Sequence, residues 1–153
     1  MSKFFEFETD FVNSLRCIPM IVRFKLDTCG VKLKLHHWHN FNQLERESLI
    51  NKPCVTSQEI EKYRQDLQDL VYLKTKEYAQ ELNIEPKPPW INLEVIPVDI
   101  EEKAKEFDFQ LTLFQWQNLT TLQRFVLIKL SRPSHENKNF LPALKEFNLI
   151  ESR

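Results

Sequence analysis

One glycine, Gly30, stands among 153 residues that include eight prolines. Hairpins and many tight β-turns need positive φ, which glycine usually supplies. Proline suits the first turn of helices and extended linkers. A chain built this way is predicted to be all-α. The same count excludes glycine-rich phosphate loops and the GxSxG nucleophile elbow.

The stretch around which the rest is expected to pack is Leu111–Leu130, LTLFQWQNLTTLQRFVLIKL. It reads as two consecutive helices. Thr112 with Gln115 fits a capping box, and so does Thr120 with Gln123. In the second helix Leu122, Phe125, Val126, Leu127, Ile128 and Leu130 leave almost no polar face. A short helix that is apolar nearly all round belongs inside a fold.

This stretch has a counterpart earlier in the chain. Residues 18–50 slide onto 96–128 without a gap and give eleven identities in 33 positions. The matched residues include Ile18-Pro19 with Ile96-Pro97, Trp38 with Trp116, Asn40 with Asn118, Leu44 with Leu122, and Arg46 with Arg124. The unit reads as a Pro-started helix, an LxL turn, a Trp turn and a capped helix. Two copies imply a pseudo-symmetric pair rather than a solenoid, which needs about three repeats. Glu47-Ser48 in the first copy becomes Phe125-Val126 in the second. The first copy's last helix is therefore expected to be wetter.

The remaining segments follow local signals. Phe4, Phe5 and Phe7 suit an extended segment with alternate side chains buried. Thr9 or Asp10 suits the cap of a short helix that ends before Pro19. Pro19 is expected at the first position of the next helix, which Gly30 stops in the left-handed conformation. VKLKL is read as a loop in preference to a strand. Asn42 with Glu45 and Thr56 with Glu59 cap further helices, the second running over about 57–80 with Ile60, Tyr63, Leu67, Leu70, Val71 and Tyr78 on one face. Pro86, Pro88 and Pro89 make 82–97 an extended linker, pinned by Trp90, Ile91 and Leu93. After Leu130 comes a polar segment, and Pro142 starts a last helix, so that 131–149 forms a C-terminal loop and helix. The expected architecture is a compact single-domain helical bundle over 1–153. It holds two pseudo-repeats, about 18–50 and 96–128, bridged by the long helix and the Pro-rich linker.

Net charge is −1 and the pI about 6.4, so no global basic field favours nucleic acid. No apolar run approaches the ~20 residues that span a bilayer. MSKFFEFETDF lacks the layout of a signal peptide, so the expected location is the cytoplasm. Cys17, Cys29 and Cys54 are odd in number, without CxxC, and read as small buried hydrophobes. His36, His37 and His39 cluster, but only His36–His39 has helical ligand spacing and no fourth ligand is offered. The other copy has Phe114, Gln115 and Gln117 there, so a solvated helix face is the preferred reading and no metal or cofactor is expected. A helix-turn-helix DNA reader is disfavoured. The 121–131 helix is too apolar, and the 43–50 helix would set Glu45 and Glu47 near phosphates. Arg132, His135, Glu136 and Lys138 lie in the odd polar segment SRPSHENKNF. They fit a partner-binding surface, and the segment's Ser134, Asn137 and Asn139 equally fit a loop that caps helices and turns the chain.

DFVNSLRCIPMIVRFKLDTCGVKLKL, the PPW linker and LQRFVLIKLSRPSHENKNFLPALKEFNL together resemble the conserved nitrate-reductase-associated protein family of cyanobacteria. The resemblance spans Phe4 to Leu149 and is densest at the two ends. It implies a small soluble protein encoded beside assimilatory nitrate reductase and molybdenum-cofactor genes. It implies an accessory role and no enzymatic activity: a chaperone in maturation or cofactor insertion, or a small subunit, bound to the molybdenum enzyme nitrate reductase. No catalytic residues carry over, and the dense runs 10–35 and 124–149 are the implied functional surface. The alternative is a small-molecule or metal sensor of nitrate assimilation, which needs an enclosed polar pocket.

Overall fold

Side-chain caps fix where most helices begin. In the computed structural model, which describes residues 3–14, 17–134 and 137–151, four reciprocal capping boxes are formed. Asn42 Oδ1 accepts the Glu45 N–H at 2.8 Å, and Thr56, Thr112 and Thr120 Oγ1 accept those of Glu59, Gln115 and Gln123 at 3.1–3.2 Å. In return Glu45, Glu59, Gln115 and Gln123 accept the N–H of the capping residue at 2.8–3.0 Å. Each box satisfies donors that the helix start leaves without partners.

The chain is helical and forms two compact units, Met1–Ile84 and Glu85–Arg153. The first holds α1 (Thr9–Asn13), α2 (Met20–Cys29), β1 (Val31–Lys32), α3 (Leu35–His39), α4 (Gln43–Asn51), α5 (Ser57–Thr75) and β2 (Gln80–Glu81). The second holds a 3-10 turn (Pro89–Ile91), α6 (Val98–Lys105), α7 (Leu113–Asn118), α8 (Thr121–Ser131), a 3-10 turn (Asn137–Asn139) and α9 (Phe140–Glu146).

In the first unit α5 packs on α2 and α3. Val22, Leu26, Trp38, Phe41, Leu49, Tyr63, Leu67 and Val71 form its core. The Tyr63 hydroxyl donates to the Leu49 carbonyl at 2.7 Å and ties α5 to α4. Gly30 closes α2 at φ 77°, with Ile84 Cγ1 and the Leu82 carbonyl only 2.8 Å from where a Cβ would stand. In the second unit α8 is enclosed by the 89–91 turn, α6 and residues 137–146. Phe125, Val126, Leu127, Ile128 and Leu130 are all buried, as the apolar run requires.

Several local expectations are corrected. VKLKL contains a strand, because Val31 and Lys32 pair antiparallel with Glu81 and Gln80. The long helix stops at Thr75, not near residue 80. Lys76 takes φ 63°, and the chain turns so that Ala79 exchanges two 2.8 Å hydrogen bonds with the Gln68 amide before entering β2. Phe4, Phe5 and Phe7 do not alternate in an extended strand. Residues 6–8 form a 3-10 turn that buries Glu8, whose Oε2 accepts the Met20 N–H at 3.0 Å and so caps α2 from a distance. Pro19 and Pro97 precede the first helical residue instead of occupying it. Pro142 sits in the third position of α9. The linker is held chiefly by its main chain: the carbonyls of Trp90, Asn92 and Leu93 accept bonds from Arg124 Nε, Trp116 Nε1 and Gln117 Nε2 at 2.7–3.0 Å. The Ile91 and Leu93 side chains stay exposed.

Candidate functional site

The histidines acquire a partner that the sequence did not suggest. The turn after α5 brings Glu77 to α3, where its Oε1 lies 2.9 Å from His37 Nε2 and 3.1 Å from His36 Nε2. His37 is buried, while His36 and Glu77 are half exposed. Two imidazoles and a carboxylate with ligand atoms within 4.8 Å of one another have the makings of a metal site. The other face of His37 argues against it. Its Nδ1 lies 3.1 Å from the Lys34 N–H and accepts that proton. A neutral imidazole that accepts at Nδ1 carries its own proton on Nε2, the atom a metal would need. Metal-bound histidines do the reverse and donate from the second nitrogen. His37 is an N-terminal cap for α3, and it fills the part that Gln115 plays at the corresponding place in α7. Its Nε2–H and that of His36 donate to Glu77 and hold the carboxyl below its ordinary pKa.

The two buried cysteines, Cys29 and Cys54, are poor nucleophiles. Burial raises the Cys29 thiol to about 12 and that of Cys54 to about 11. Such thiols stay protonated at neutral pH. Cys17 is half-buried.

Of the sequence-predicted contact residues, the structure describes two. Arg132 is half exposed, with Nε 3.7 Å from Asp99 Oδ2. Lys138 is exposed at the start of the turn into α9. His135 and Glu136 lie outside the described residues.

A surface that the sequence did not single out lies between α4 and α5. A groove of about 490 Å³ runs between them, lined by Leu44, Leu49, Leu70 and Leu73 together with Asn42, Glu45, Ser48, Lys52, Asp66 and Asp69. Its two ends are bridged by ion pairs, Lys74–Glu45 at 3.2 Å and Lys52–Asp66 at 2.7 Å. Leu44 is 76% and Leu73 63% exposed. Leu44 belongs to the identities between the two copies and looks like a core position. Exposure there follows from what packs on the helix, which the identity itself does not encode.

The model of the conserved nitrate reductase-associated protein family matches residues 4–147. The chain therefore belongs to that family. No curated protein and no solved structure matches it. Among the described residues no helix is long and apolar enough to cross a membrane.

Proposed function

We propose that this chain is an accessory protein of nitrate reductase that acts by binding a protein partner, in maturation, in cofactor insertion or as a small subunit. The observation that carries this reading is the family match over residues 4–147, with its description as reductase-associated. The disposition of the ionisable groups supports it. Glu8, Glu45 and Glu59 serve as helix caps, His37 does the same for α3, and Arg46 and Arg124 clamp carbonyls. These groups hold the fold together and are not gathered in a catalytic cleft. An accessory protein works through different affinity for two states of its partner, such as cofactor-free and loaded enzyme. Arg132, His135, Glu136 and Lys138 are proposed as contact residues.

The test is a pull-down of the tagged chain from nitrate-grown cells, with molybdenum analysis of the recovered reductase. Recovery of reductase is expected, and Arg132→Ala with Lys138→Ala is expected to weaken it at an unchanged melting temperature. Loaded reductase in constant ratio identifies a subunit, and metal-poor reductase an insertion chaperone. Failure to recover any reductase, with full metal content in a strain lacking the gene, overturns the proposal.

A further inference from the structure

We infer that the groove between α4 and α5 docks a short amphipathic helix from a partner protein, with an apolar edge flanked by lysine or arginine. The inference rests on the reading of this chain as a protein-binding accessory and specifies what it grips.

Geometry sets the size of the occupant. Glu45 meets Lys74 at one end and Lys52 meets Asp66 at the other, so the two helices run antiparallel across the groove. Glu45 and Lys52 are seven positions apart, about 10 Å at 1.5 Å per residue, or two helical turns. Two turns accommodate apolar side chains at i, i+3 or i+4, and i+7 of an incoming helix, the pattern of helix-in-groove recognition.

The second unit shows the corresponding face covered. Ser48 corresponds to Val126, which is buried in a helix that packs on α9. The helix that follows α4 is α5, which packs on α2 and α3 and leaves Leu44 and Leu73 uncovered. A helix against this face is thus an arrangement that the chain itself uses elsewhere.

Charge selects the flanks. The edge carries Glu45, Asp66, Asp69 and Lys52, and Lys74 and Lys62 reach it as partners of Glu45 and Asp66. Glu45 and Asp66 already have lysine partners. Asp69 is bonded to the Gln65 amide and Glu47, next to the lining Ser48, to the Gln43 amide. Among the described residues neither acid has a cation within ion-pair distance. Two acids without cations beside an apolar strip favour a basic flank and repel an acidic one.

The experiment measures fluorescence anisotropy of a labelled, stapled Leu–Lys amphipathic peptide against its Leu–Glu twin with the same apolar face. The full chain is expected to bind the lysine peptide about tenfold more tightly, because like-charge juxtaposition penalises the twin. Leu44→Asp with Leu73→Asp abolishes binding, and Asp69→Lys removes the preference. Both leucines are mostly exposed, so the double variant is expected to melt as the unmodified chain does. Equal affinity for both peptides, binding that survives the double variant, or no binding overturns the inference. So does self-association that the double variant abolishes, since a second copy then fills the groove. If the double variant loses the peptide yet still recovers reductase, the accessory role stands and this groove is not its contact. If the unmodified chain binds the lysine peptide but recovers no reductase, the accessory reading falls and the groove keeps its assignment.

Discussion

Residues 18–50 and 96–128 begin their helices at the same register, Met20 and Val98, Leu35 and Leu113, Gln43 and Thr121. They also repeat hydrogen bonds. Asn40 and Asn118 each donate to the carbonyl four residues back at 2.7 Å. Arg46 clamps the Trp38 and Phe41 carbonyls, and Arg124 those of Trp116 and Leu119. The left-handed residue after the first helix recurs as well, Gly30 at φ 77° and Asp108 at φ 54°. What differs is the covering. The 88–93 segment lays its carbonyls on α7 and α8, so Trp116 Nε1 donates to Asn92 at 2.8 Å, while the buried Trp38 Nε1 has no partner among the described residues. Local signals specify the shared frame. Segments outside the aligned stretches decide which faces become core and which remain surface.

The largest expected contrast is at Val126 and Ser48. Val126→Asp sets a charge in a closed core and is expected to cost about 4 kcal/mol or more, whereas Ser48→Asp changes stability by about 0.5 kcal/mol or less. Urea unfolding followed by circular dichroism compares them, and equal costs would break the distinction between covered and open faces. A smaller contrast separates the tryptophans. Trp116→Phe loses the hydrogen bond to the Asn92 carbonyl, while Trp38→Phe removes a donor that has no acceptor among the described residues. The first is expected to cost about 1 kcal/mol more than the second.

The smallest effect concerns the histidine clasp, which among the described residues is found in the first unit alone. The Glu77 carboxyl is held low by hydrogen bonds, first from His37 and then from His36. Its contribution is therefore complete above the unfolded carboxyl pKa, about 4.3, and is lost as pH falls through the lower folded value. Glu77→Gln should lower the melting temperature near neutral pH and converge with the unmodified chain once the pH is acidic enough to protonate the folded carboxyl. A difference that is the same at both pH values would show that the clasp works by shape and not by charge.

Much of this frame was legible. Capping needs a Ser, Thr or Asn three residues before a Glu or Gln, so Asn42, Thr56, Thr112 and Thr120 announced their helices. The apolar circumference of α8 announced its burial. Glu77 was not legible as the partner of His36 and His37, because the pairing depends on Lys76 turning left-handed some 40 residues away. Nor was the groove, since Leu44 has the same identity as its half-buried counterpart Leu122. Long-range capping by Glu8 was hidden for the same reason: nothing near residue 8 names Met20.

The tryptophans also divide the chain optically. Trp38 is the first unit's lone indole, and it emits from a buried site. Trp90 and Trp116 belong to the second unit, one half-buried and one buried and bonded. Water reaching Trp38 shifts its emission to the red. A chain with phenylalanine at positions 90 and 116 therefore fluoresces only for residues 1–84 and reports their loosening alone.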